Sequence, residues 1–197
     1  MGNQLKLAAL KAVTFGGWLL EGFNEKTLPV LKKYYLVNCS EGEGTGRSIY
    51  KALESTSLEK LQQQWTTAFC IGPCCIPPEE SVVRTGLSMQ EPRDKTLNWY
   101  LKFGEKPSSR VPADHLGIQL FFLSRLLLEA DSTKDEEEKR QLLEEAQTFA
   151  KEHLDWVEDL VKKVRLCPNP ENLSELILLL DQLPREIKDI QEEISRV

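Results

Sequence analysis

Residues 110–130 read RVPADHLGIQLFFLSRLLLEA, and their pattern decides the fold. Pro112 holds φ near the helical value, and Asp114 puts a carboxylate where a first turn exposes unpaired N–H groups, so together they read as a helix start. From there Leu116, Ile118, Leu120, Phe121, Phe122, Leu123, Leu126, Leu127 and Leu128 cover every face of a helix, interrupted by Ser124, Arg125 and Glu129. A helix apolar all round is a buried one. The run is too short for a bilayer and Arg125 cuts it, which excludes a stable membrane span. The expectation is a central core helix over 112–129 whose first turn, with Asp114 and His115, emerges at a surface.

The chain has 197 residues, enough for one domain that removes about 70% of its unfolded surface from water. Hydrophobic residues at 41% and charged residues at 28% are the mix of an ordinary soluble protein and exclude disorder. A net charge of -6, with Lys and Arg interleaved among acids, argues against a nucleic-acid partner and for a basic peptide. Five cysteines, an odd number, do not form a disulfide framework, and the cytoplasm is the expected compartment. The apolar run 12–20 is no secretory signal, since Gly16-Gly17 splits it, Glu21 follows at once and no cleavage site is present. Lys6 also stands where a myristoylation signal needs Ser or Thr.

Helical periodicity recurs on both sides of the central stretch. A first helix carries Leu5, Leu7, Leu10, Val13, Phe15 and Leu19, weakened by the Gly pair, and a second runs over 28–37 with Pro29 in its first turn. Helices follow over 49–53 and 58–69, the latter with Ser57 as its N-cap. Prolines forbid a helix over 70–78, and one resumes over 79–88. The next, over 96–103, has Leu97, Tyr100 and Leu101 on one face and stops at Gly104. A long helix over about 134–165, capped by Ser132 or Thr133, carries the stripe Leu142, Ala146, Phe149, His153, Trp156, Leu160 and Val164. Leu173, Leu176, Ile177 and Leu180 form the penultimate helix, and Pro184 starts a last region striped by Ile187, Ile190 and Ile194. With no alternating strands, repeats or linker, residues 1–197 read as one all-α domain of roughly ten helices.

The chemistry offered by these residues is sparse. Gly42-Glu43-Gly44-Thr45-Gly46-Arg47-Ser48 has the glycines of a phosphate loop, but it is one residue short, has Arg for Lys and follows no strand, so it reads as an interhelix loop. Cys70, Cys74 and Cys75 suggest thiolate ligands for a metal or a redox site. Their spacing lacks the paired C-x2-C of structural zinc sites, and Cys39 and Cys167 are remote in sequence, which favours reduced cysteines packed as small hydrophobes. The two histidines are His115 and His153. His153 lies on an apolar face and reads as a buried ring satisfied by a neighbour, whereas His115 either starts a helix or touches a ligand. Ser81, His115 and Asp114 do not imply a triad, because adjacent residues of one turn point apart. Catalytic residues, metal ligands and a cofactor are not expected.

Three stretches carry a resemblance. Val111-Pro112-Ala113-Asp114-His115-Leu116 with the apolar run after it resembles the Pro-x-Asp-His-Leu segment of the TorD/DmsD/NarJ-type redox-enzyme maturation chaperones. Gly72-Pro73 through Pro77-Pro78-Glu79-Glu80-Ser81-Val82 is similar to that family's Gly-Pro loop and x-Glu-Ser-Val segment, and Phe149 through Trp156 to its Phe, His-Leu, Trp pattern.

The resemblance implies an all-α cytoplasmic chaperone, monomer or homodimer, and not an enzyme. It would bind the twin-arginine signal peptide of the catalytic subunit of a molybdenum-cofactor (molybdopterin) oxidoreductase and assist folding and cofactor insertion before export. By the same implication Asp114, His115, Pro112 and Gln119 would meet the peptide, with Ser81, Glu80 and Pro78 bordering the site. Such a peptide offers arginines and then an apolar run, so carboxylates beside an apolar groove suit it, and Asp114 beside the core helix would supply the pairing. Gln119 stands where many members have Glu, and Val83 replaces a commonly aromatic residue. The competing reading is a cysteine-based metal or redox protein using Cys70, Cys74 and Cys75.

Overall fold

The axis of the bundle is α7 (Leu116–Ser132), and α1 (Gly2–Glu21) lies along it in the opposite direction. Gly16 abuts Gly117 at one end of this pair, and Lys6 meets Asp131 at 3.3 Å at the other. The computed structural model describes residues 2–38, 44–72, 74–106 and 110–196, apart from the side chains of residues 2, 3 and 38. Gly16, one of the pair that weakens α1 by propensity, permits the crossing together with Gly117. A Cβ on Gly117 would lie 2.5 Å from Leu20 Cγ and 2.8 Å from the Gly16 carbonyl oxygen, so the two backbones could not approach with any larger residue there.

Around this pair stand α2 (Thr27–Asn38), α3 (Thr45–Ser55), α4 (Leu58–Phe69), α5 (Glu80–Thr85), α6 (Glu91–Lys102), α8 (Glu136–His153), α9 (Val157–Arg165) and α10 (Ser174–Ser195), with a 3₁₀ turn over Pro170–Leu173. Ten α-helices, this 3₁₀ turn and one isolated bridge, between Glu79 and His115, make up the regular structure of the described residues, so the protein is all-α. No described helix is long and apolar enough to cross a membrane. Ser57 caps α4 as its sequence predicts, accepting the Lys60 N–H at 3.3 Å. The core joins α1, α7, α8, α9 and α10 through large side chains such as Phe15, Trp18, Phe149 and Trp156, each 0–1% exposed and each stabilising by about 1.5–3 kcal/mol.

Several boundaries differ from the sequence reading for identifiable reasons. α7 starts at Leu116 rather than Pro112, because the preceding segment pairs with another part of the chain. It is also not buried on every face, since Phe121 and Leu128 are 37% and 46% exposed. α6 starts at Glu91 with Pro92 in its first turn, and its Leu101 faces outward. Asp135, not Ser132 or Thr133, caps α8, accepting the N–H groups of Glu137 and Glu138.

The long helix expected over 134–165 is broken at residues 154–156 into α8 and α9. The Trp156 indole donates to the His153 carbonyl at 2.7 Å, pairing a backbone acceptor that the break would otherwise leave open. Conversely, Pro184 lies inside α10 rather than starting a new region. A proline there costs about 3 kcal/mol, which the buried stripe Leu176, Leu179, Leu180, Leu183, Ile187, Ile190 and Ile194 exceeds.

The cysteines require a correction as well. Cys74 is bonded to Cys167, with Cα atoms 5.2 Å apart across 93 residues of sequence, so the expectation that all are reduced does not hold. Folding brings the end of α9 against the 70–78 loop, a proximity that sequence distance conceals. Cys70 and Cys75 are free and exposed. Cys39, Pro73 and the 39–43 half of the glycine-rich stretch lie outside the described residues, while Thr45 to Ser48 form the first turn of α3.

Candidate functional site

The two proline-containing motifs meet each other. The Asp114 carbonyl accepts the Glu80 N–H at 3.0 Å and the Pro78 carbonyl accepts the Leu116 N–H at 2.8 Å, which zips residues 78–80 to 114–116. Glu79, at the N-cap of α5, provides no side-chain cap of its own. Asp114 does so instead, its Oδ2 accepting the Ser81 N–H at 2.8 Å. Ser81 passes the order on, since its hydroxyl accepts the Gln90 N–H at 3.2 Å just ahead of α6. Tyr100 closes the clasp by donating its hydroxyl to the Ala113 carbonyl at 2.8 Å. Burial, with the charges of Asp114 and Glu80 nearby, pushes the Tyr100 phenol well above its ordinary range, so it stays a donor.

This clasp aims Glu80 at the junction of α5, α6, α7 and α8. One carboxylate oxygen accepts Arg84 Nε at 2.8 Å; the other accepts Gln119 Nε2 at 2.8 Å and lies 2.9 Å from His153 Nδ1. Thr96, 3.2 Å from the same ring nitrogen, spends its own proton on the Pro92 carbonyl, so Nδ1 is the donor. His153 Nε2 has Glu152 at 4.0 Å as its acidic neighbour. A buried carboxylate with three donors is a satisfied one, and it fixes the rotamers of everything around it.

Above this network a cleft of about 650 Å³ opens between α5, α6 and α8. Glu80 and His153 form its floor; Arg84, Trp99, Lys102 and Glu152 are among its walls. The Arg84 guanidinium spans two acids, Glu80 below and Asp155 at the break between α8 and α9, and also reaches the Glu152 carbonyl at 3.4 Å. Trp99 stacks beside Phe103 at an interplanar angle of 9°, and the Lys102 ammonium lies 4.9 Å from the Trp99 ring centre. The chemistry on offer is recognition of cations by carboxylates and aromatic faces.

The residues singled out from sequence are gathered here, but most of them face inward. Asp114, Ser81 and Gln119 are fully buried, Pro78 is buried, and Pro112 and His115 are half-buried. The expectation that Asp114 emerges at a surface is therefore corrected: the residue is buried, and one oxygen of its carboxylate serves as a cap. Of the seven, Glu80 lines the cleft. His115 is the N-cap of α7, Nδ1 accepting the Gly117 N–H at 3.1 Å, and burial lowers its pKa to about 4. Gln119 donates to Glu80, a place where a Glu would set two carboxylates against each other. Sequence reading missed Arg84, Trp99, Glu152 and Asp155. The i,i+4 pair of Glu80 with Arg84 was the available signal, and only the packing of α8 against α6 brings in the others.

Other arrangements do not assemble. Asp114 binds the Ser81 backbone and His115 the Gly117 backbone, so no Ser-His-acid relay exists among them. With Cys74 joined to Cys167, the set Cys70, Cys74 and Cys75 is broken up, and no metal-holding group of three His, Cys, Asp or Glu occurs among the described residues.

Residues 38–162 match the family model described as nitrate reductase delta subunit. The crystal structure of a proposed redox enzyme maturation protein from Archaeoglobus fulgidus shares the fold, with a TM-score of 0.54 and 17% sequence identity over 92% of this chain and 93% of that one. No curated relative matches the chain significantly. Because the family match spans well over half the chain and the helical fold agrees with it, this protein belongs to the nitrate reductase delta subunit family, the NarJ/TorD-like redox-enzyme maturation chaperones.

Proposed function

We propose that this chaperone acts in the cytoplasm as one domain, monomeric or dimeric, and that its cleft receives the arginines of the signal peptide on a molybdoenzyme catalytic subunit. The observation that carries this reading is the Arg84 guanidinium held between Glu80 and Asp155: the cleft is already shaped to hold an arginine. Trp99, with a lysine ammonium over its ring, offers a second cation-accepting face. In this reading Glu80, Asp155 and Glu152 meet the peptide. Asp114, Ser81, Gln119 and Pro78 hold Glu80 in place from beneath, and Pro112 and His115 stand at the edge of the clasp. The chain's role is binding and release rather than catalysis.

Calorimetric titration tests it, using a synthetic leader carrying Arg-Arg, the same peptide with Ala-Ala, and the double variant Asp155→Asn, Glu152→Gln. The Arg-Arg peptide binds with an affinity that falls on adding salt, the double variant binds it more weakly, and the Ala-Ala peptide does not bind. A folded protein that gives no heat with any molybdoenzyme leader would end the proposal.

A further inference from the structure

We infer that Arg84 is an internal occupant of the guanidinium position in the cleft, which an arginine of the incoming peptide must displace, so that this one residue sets the affinity of the site for arginine. The inference rests on the peptide-binding reading above and adds the identity of the competitor.

Of the three donors on Glu80, two are locked. Gln119 is 0% exposed and His153 3% exposed, and both belong to the core network. The third comes from Arg84, whose side chain is 35% exposed. It projects from the last turn of the six-residue α5, which ends at Gly86 in the left-handed conformation, φ 82°. Its other carboxylate partner, Asp155, is 59% exposed. Arg84 can therefore swing into solvent by breaking one bond to the buried Glu80 and its contacts at the surface, whereas Gln119 and His153 are held inside the core.

What replaces it is constrained by what it leaves behind. Withdrawing Arg84 alone strips a buried carboxylate of its cation, which is strongly unfavourable, so the exchange goes forward only when another cation arrives with it. A guanidinium suits the vacancy better than an ammonium, because Glu80 and Asp155 take hydrogen bonds from Nε and Nη2 of one planar group. His153 lines the cleft beside Glu80, so the vacancy is bounded on its inner side by the core network. An arriving arginine with five N–H donors meets the acceptors that Arg84 vacates, the carboxylates of Glu80 and Asp155 and the Glu152 carbonyl.

The test compares wild type with Arg84→Gln in titrations with the Arg-Arg leader, together with the Arg84 side-chain Nε–H resonance of the wild type as peptide is added. Removing the competitor raises the competent fraction of the cleft, and the variant binds about tenfold more tightly if Arg84 occupies the position nine-tenths of the time. In the wild type the Nε–H resonance loses its carboxylate-bonded shift on saturation. Binding by Arg84→Gln that equals or falls below wild type, or a resonance unmoved at saturation, overturns the inference and leaves the peptide-binding reading standing. If neither protein binds the leader while both remain helical by circular dichroism, reading and inference fall together. Should the variant not fold, the wild-type resonance decides alone.

Discussion

The carboxylate of Asp114 accepts the backbone N–H of Ser81 at 2.8 Å, so a residue two positions ahead of α7 caps the start of α5. The bond is fully buried, and Asp114→Ala leaves the Ser81 donor without a partner, an expected loss of about 1–3 kcal/mol. Asp114→Asn keeps an acceptor and loses less. Urea unfolding measures both; an alanine variant as stable as wild type would contradict the clasp.

His115 makes stability depend on pH in a defined window. Its Nδ1 accepts the Gly117 N–H, which only a neutral ring can do, and burial lowers its pKa from 6.5 to about 4. The unfolded chain takes up this proton near 6.5 and the folded one near 4. The contribution is therefore complete above pH 6.5 and is lost as pH falls toward 4, amounting to at most about 3 kcal/mol. His115→Asn retains a capping acceptor and flattens the stability curve in that range. Glu175 operates lower: against burial, hydrogen bonds from Gln64, Ser174 and Lys60 bring its pKa from 4.5 to about 2, so its contribution persists above 4.5 and disappears toward 2. Unfolding curves from pH 7 to 4 separate the two, since only the His115 window responds to the substitution.

The α1 and α7 crossing distinguishes two neighbouring glycines. Gly117→Ala drives a methyl into the Gly16 carbonyl and Leu20, and is expected to cost about 1–3 kcal/mol. At Gly17 a Cβ would meet nothing closer than Phe121 Cζ at 4.0 Å, so Gly17→Ala gains helix propensity and stabilises by about 0.5–1 kcal/mol. Thermal unfolding of the two variants should therefore move in opposite directions.

Gln119 donates to Glu80 inside the core, and Gln119→Glu replaces that donor with a second carboxylate. The expected loss exceeds about 2 kcal/mol at pH 7 and shrinks at pH 5, where one carboxyl of the pair takes a proton. Denaturation at the two pH values checks this. An equal loss at both would mean that charge is not the cause.

Periodicity and caps, which act within a turn or two, determined the helical class, the position of α4 with its Ser57 cap, the buried stripe that runs through α8 and α9, and the motifs that mark the family. Tertiary structure alone decided where α7 begins, because the backbone of Asp114 and Leu116 is bonded to Glu80 and Pro78, and whether Pro184 ends a helix, because the stripe around it is buried. It also decided the use of each acid near the cleft. From sequence, Asp114 and Glu80 look equally free to meet a ligand. Folding spends Asp114 on a backbone cap and carries Glu80 to the cleft floor beside His153, 73 residues away, with Arg84 over it. A carboxylate's role is set by the donors that reach it, and those donors come from helices that only packing brings together.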